Sequence, residues 1–244
     1  MEKIKILGIP FHKVTMKGIV DELEDKIKNN DKSFIVTANP EIVLYADKNY
    51  EYKQTLLSAD YILPDGIGVV IASKILKKPL PERVPGYDLM HNLLAKMELG
   101  QRKLYMVGAK EEVLEKAVKK VSNLYPNVEI VGKNHGFFEL NDTAIITDIK
   151  DKEPDLILVA LGFPRQETWI SRNVQNVKKG LFIGVGGSFD VLAGEVKRAP
   201  IMWQKLNIEW LYRLIQQPSR WKRMLALPYF LIKIIMLRLK KSNR

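Results

Sequence analysis

The chain has 244 residues, 46% of them hydrophobic, and a formal net charge of +11; that length suits one large domain or two small ones around an ordinary core. It contains no cysteine, which excludes a disulfide framework and thiolate chemistry and fits a reducing, intracellular location. The charge is lopsided. Residues 195–244 hold twelve Lys/Arg against the two acids Glu195 and Glu209, so a near-neutral body carries a basic tail suited to a polyanion: nucleic acid, anionic lipid or a phosphorylated substrate.

The opening "MEKIKILGIPFHK" lacks the apolar core and cleavage site of a signal peptide, and a cytoplasmic protein is expected. "KIKILGI" and "SFIVTAN" read as strands around an amphipathic helix near 15–29. "PEIVLYADKNYEYKQTLLSA" reads as one helix, "DYILP" as a strand, and "GIGVVIASKIL" and "GYDLMHNLLAKMEL" as helices. "KLYMVGA" is a strand, followed by a helix that Pro126 stops. "VEIVG" is a further strand, and "NDTAIITDIKDKEP" a helix with Asn141 or Asp142 as its cap. "DLILVALG" and "GLFIGVGG" are apolar strands on either side of the helix "RQETWISRNVQ". Continuous apolar strands alternating with helices predict an α/β fold, a Rossmann-like parallel sheet flanked by helices, over residues 1–194.

Residues 195–244 form a basic, amphipathic helical appendage by pattern. Trp203, Leu206, Trp210, Leu211, Leu214 and Ile215 recur at helical spacing, giving one helix over 201–217 that ends at Pro218. The apolar runs of 224–241 are broken by Lys233 and Arg238, well short of the roughly 20 residues that span a bilayer. Trp, Phe and Leu beside Lys and Arg suit a helix lying in a membrane interface. Packing on the body is the alternative, weighed evenly for 201–217 and placed second for 224–241. The first helix also has the pattern to pair with another subunit, which keeps a homo-oligomer open.

His12, His91 and His135 are scattered without metal-ligand spacing, no two aspartates stand at i and i+2, and no P-loop ending in G-K-[ST] occurs; neither metal nor cofactor is expected. In "YILPDGIG", Asp65 is either a turn residue between Pro64 and Gly66 or a base beyond the carboxyl end of a strand, where ligands of such sheets bind. In "GVGGSFDVLAGEVKRAP", Gly184, Gly186 and Gly187 suit close approach of an anion to backbone N–H groups or a tight strand-to-helix turn. Asp190 is placed to bond a ribose or base. "GFPRQETW" adds Arg165 and Gln166, and "ERVPGYDL" adds Arg83, a fixed charge for a phosphate.

The segments "TANPEIV", "DYILPDGIGVV", "ERVPGYDL", "VGAKEEV", "LGFPRQETWI" and "GVGGSFDVLAGEVKRAP" together resemble the WecG/TagA/CpsF family of bacterial glycosyltransferases, in family order across residues 4–200. The basic tail is similar to the C-terminal appendage of the TagA branch. The resemblance implies inverting, metal-free transfer of N-acetylmannosamine from UDP-ManNAc to the 4-hydroxyl of GlcNAc on undecaprenyl diphosphate, the committed step of the wall teichoic acid linkage unit. It implies Asp65 as general base, Thr37 and Asn39 as sugar-orienting groups, and Arg83 and Gln166 near the donor. Gly186 and Gly187 would meet the departing diphosphate, and Asp190 and Phe137 the nucleoside. Arg213, Arg220 and Arg223 would grip the lipid diphosphate, with the appendage peripheral on the anionic inner leaflet. A UDP-ManNAc-uronate transferase of the same family is the nearest rival. A nucleic-acid-binding protein is the rival from another class, but Trp203, Trp210 and Trp221 sit among aliphatics and no nucleic-acid motif is evident. A non-catalytic lipid-binding scaffold is the third.

Overall fold

The structure is a computed structural model describing residues 1–218 and 221–242. Strands β1 (Lys3–Ile6) and β2 (Ile9–His12) pair antiparallel in a sheet of their own. "KIKILGI" is therefore not part of the main sheet. Leu7 and Gly8 both take positive φ, 49° and 83°, and that two-residue turn folds the segment back as a hairpin whose twist suits it. His12 then accepts the N–H of Ile62 at 3.0 Å.

Then follow α1 (Met16–Lys28), β3 (Lys32–Ala38), α2 (Pro40–Lys48), α3 (Tyr50–Leu57), β4 (Tyr61–Pro64), α4 (Ile67–Ile75), α5 (Gly86–Glu98), β5 (Lys103–Gly108) and α6 (Glu111–Leu124). The expected single helix over 40–59 is two. Asn49 is extended, and its side chain accepts the N–H of Tyr52 at 2.8 Å, so it ends α2 and caps α3. The chain continues through β6 (Glu129–Asn134), α7 (Ala144–Lys152), β7 (Leu156–Ala160), α8 (Arg165–Asn173), β8 (Gly180–Gly184) and α9 (Ser188–Leu192).

β3 to β8 form one six-stranded sheet, order β4-β3-β8-β7-β5-β6, with every pairing parallel. Alternate residues feed two cores. In β7, Ile157 and Val159 join the layer of α2, α3 and α8, whereas Leu156 and Leu158 join that of α1, α5 and α6. Burial on both faces is why these strands read as unbroken apolar runs, and each such side chain contributes roughly 1.5–3 kcal/mol.

The last segment comprises α10 (Ile201–Lys205), α11 (Glu209–Gln216), α12 (Trp221–Met224) and α13 (Ala226–Ser242). The single helix expected over 201–217 is broken at Asn207, which takes a φ of 60°, a left-handed conformation asparagine tolerates better than most residues. One face of α13 is docked on the body, the arrangement ranked second for this stretch. Phe230 and Ile234 are fully buried in the α2–α4 core layer. The other face leaves Tyr229, Ile232, Ile235, Met236 and Leu239 exposed. Among the described residues, no helix is long and apolar enough to cross a membrane.

Candidate active site at the carboxyl ends of the strands

The loops leaving β3, β4, β7 and β8 meet at one end of the sheet and wall a cleft of about 630 Å³. Backbone hydrogen bonds fix its floor. Asp65 donates its N–H to Ala38 O at 3.1 Å, and Val84 donates to Pro64 O at 2.6 Å, so the loop carrying Arg83 is tied to the loop carrying Asp65. Gly66 and Gly68 are needed for closeness. A Cβ on Gly68 would lie 2.7 Å from the Pro40 ring and 2.5 Å from Leu227 of α13. The glycines of "PDGIG" let α2 and the appendage approach the Asp65 loop.

Thr37, Asn39, Asp65, Arg83 and Gln166 all line this cleft, as do Gly186, Gly187, Asp190, Arg213 and Arg223. Asn39 also serves as the α2 cap, its Oδ1 accepting the N–H of Ile42 at 3.1 Å. The amide of Gln166 faces two ways, accepting from Gly186 N at 3.0 Å and donating to Glu167 at 2.7 Å. Gly186, with a φ of +51°, thus spends its N–H on Gln166 rather than presenting it to the cleft. Phe137 is 67% exposed and outside the cleft lining. Arg220 lies outside the described residues. His12 and His91 are built into the body, with His91 bonded to Tyr125 at 2.7 Å. Among the described residues, no three His, Cys, Asp or Glu side chains converge in a metal-binding group.

The electrostatics centre on Asp65. Burial disfavours its charged form and outweighs the pull of Arg213 and Arg83, with Glu209 and Asp88 adding to the upward push, so its pKa is raised to about 6. A carboxylate tuned to that range is ionised at neutral pH and still basic enough to take a proton. Arg198, which sequence reasoning left aside, also lines the cleft. It pairs with Asp88 at 2.6 Å and lies 4.6 Å from the Tyr87 ring centroid. Its signal was its place in "VKRAP", inside the glycine-loop segment. Glu41 and Glu209 went unnoticed as site residues. Glu41 holds Arg223 through two bonds of 2.8 Å, and Glu209 stands among Arg83, Arg198 and Arg213.

A carboxylate among converging arginines beyond a parallel sheet suits transfer from an anionic donor, and the sequence profile of the glycosyl transferase WecG/TagA/CpsF family matches residues 4–244. The chain belongs to this family. Among its relatives, the N-acetylglucosaminyldiphosphoundecaprenol N-acetyl-beta-D-mannosaminyltransferase of Staphylococcus aureus (strain MW2) is 41% identical over 234 residues, covering 95% of this chain and 92% of the relative. The protein of the same name from Bacillus spizizenii is 38% identical over 236 residues, covering 96% and 91%. The WecG/TagA/CpsF match extends through the appendage, so the arginines of α11 and α12 lie inside the family's own span.

Proposed function

We propose that the chain transfers N-acetylmannosamine from UDP-ManNAc to the 4-hydroxyl of GlcNAc on undecaprenyl diphosphate, with inversion and without a metal. The names of its relatives support the acceptor and the sugar. The observation that carries the mechanism is Asp65, a carboxylate raised to about 6 in a cleft walled by arginines. The acceptor oxygen attacks the sugar C1, the C1–O bond to UDP breaks, the bonding pair leaves on the β-phosphate, and the hydroxyl proton passes to Asp65. Arg83 and Arg198 are the fixed charges for the departing diphosphate. Thr37 and Asn39 orient the sugars, and Asp190 meets the nucleoside.

Residues 195–244 act in this reading as an appendage with two jobs. Arg213 and Arg223 face the lipid diphosphate, which has to displace Glu41 from Arg223. The exposed apolar face of α13, with Arg238 and Lys240 nearby while Lys233 is paired with Asp47 of α2, rests on an anionic cytoplasmic leaflet, where each basic residue adds roughly 1 kcal/mol of attraction. The deciding experiment is transfer of radiolabelled sugar from UDP-ManNAc to a short-chain lipid-diphosphate-GlcNAc analogue, with and without EDTA. Product formation unaffected by EDTA is expected; loss of transfer on chelation would overturn the metal-free mechanism, and absence of product in both arms the substrate assignment.

A further inference from the structure

α11 is docked in an unusual way. It has the strongly amphipathic sequence "EWLYRLIQ", yet the one residue of it that is buried is Glu209. Ile215 on the same helix is 61% exposed. Trp210, Leu211, Tyr212 and Leu214 are only half-buried, with Tyr212 edge-on to Trp203 at 5.5 Å, so the one buried anchor of the helix is a charge. The Glu209 carboxylate lies 3.5 Å from Arg83, 3.7 Å from Arg198 and 3.6 Å from Arg213. Arg83 belongs to the loop before α5, Arg198 to the stretch after α9, and Arg213 to α11 itself, so one carboxylate links three parts of the chain.

The distances matter. All three exceed the roughly 2.7–2.9 Å of a charge-assisted hydrogen bond, so Glu209 offsets the positive charges without taking their N–H donors in short bonds; of those donors, Arg198 gives one to Asp88 at 2.8 Å and Arg83 one to Gln204 O at 3.5 Å. Arg198 Nε is buried and has no hydrogen-bond partner among the described residues. Without a counter-charge, three guanidinium groups this close together would repel one another. A group with more charge and more oxygens than a carboxylate would take the same donors, and a diphosphate has both.

We propose that Glu209 is a positioning residue that stands in for a diphosphate, holding Arg83, Arg198 and Arg213 converged on the cleft and α11 docked until the diphosphate replaces it. The diphosphate is that of the nucleotide or of the lipid, chemically alike at this point. The choice of ligand rests on the function proposed above. Because Glu209 also faces Asp65 together with Arg213, Arg83 and Asp88, removing its charge lowers the pH at which Asp65 becomes a base.

The test is Glu209→Gln in the full chain, which keeps the shape and removes the charge. Binding of UDP and of farnesyl diphosphate is measured by calorimetry, and amide exchange is followed over α10 and α11. Loss of the internal competitor is expected to tighten one diphosphate by roughly threefold to tenfold, and the tightened one identifies the source. In the ligand-free variant the α10–α11 amides exchange about tenfold faster while those of the sheet do not change, and that diphosphate restores protection through Arg213. Unchanged or weaker binding of both probes, unchanged exchange, or exchange that neither probe restores would each overturn the proposal. Should the variant fail to fold, the wild-type chain decides: exchange of α10–α11 must quicken with rising sodium chloride, and indifference to salt sinks the idea. None of these readouts involves sugar transfer. Failed transfer with intact diphosphate linkage therefore points to the substrate assignment, not to Glu209.

Discussion

Ionised Asp65 is unfavourable to the folded chain, because burial drives its pKa from the ordinary 3.8 to about 6. Between those pH values the folded state binds more protons than the unfolded state. Stability therefore falls as pH rises through this window, and the deficit persists above it. At about 1.4 kcal/mol for each pH unit of the window, the penalty is roughly 2–3 kcal/mol. Asp65→Asn is expected to raise the melting temperature above pH ~7 and to change it little below pH ~4. The same substitution should lower sugar transfer by roughly 10²–10⁴-fold while UDP binding, read by calorimetry, is retained. In the wild-type enzyme, kcat/KM should decline as pH falls through about 6; an acid limb near the ordinary carboxylate value would remove Asp65 from the role of base. Its immediate neighbours alone read Asp65 as a turn residue or a base, the family motifs around it implied the base, and the cleft it lines is built by loops distant in the chain.

Elements meet at Gly68, where α4, Pro40 of α2 and Leu227 of α13 leave no room for a side chain. Gly68→Ala is expected to loosen α13 and lower the melting temperature, and Leu227→Ala in the same chain should recover part of the loss because the flexible leucine is the nearer neighbour. Phe230→Ala empties a fully buried position and should destabilise by about 3–5 kcal/mol, seen in denaturant unfolding. The parallel sheet was legible because strands buried on both faces leave long apolar runs; Asp65 and Gln166 were legible as polar residues just beyond such runs, and Arg83 through the segment "ERVPGYDL" between two helices. The helix breaks at Asn49 and Asn207 were not. Asparagine in an otherwise helical pattern reads as a surface residue until its side chain is seen capping or its backbone turns left-handed. Glu209 was hidden for a related reason: nothing near it in sequence announces that arginines from two other segments will surround it.

At the scale of the whole molecule, the appendage is both a wall of the cleft and a cover for the α2–α4 layer. A chain truncated after about residue 195 is expected to keep its sheet but to melt at lower temperature, since the seats of Phe230 and Ile234 become exposed, and to lose most transfer activity. Full activity in the truncate would refute a catalytic part for the appendage. Liposome flotation supplies the companion measurement: the full chain should float with anionic vesicles at low salt, sink as salt rises, and show no comparable retention on DNA. The clamping of α13 has a geometric consequence. Its inner face is docked on α2, and α2 is capped by Asn39, which lines the cleft. A bilayer touching the outer face of α13 therefore meets a body whose tilt is already set, leaving rotation about the membrane normal as its main freedom. Contact with the surface would then orient the cleft mouth as well as raise its local concentration, and every lipid-borne acceptor would approach Asp65 from the same side and at the same height.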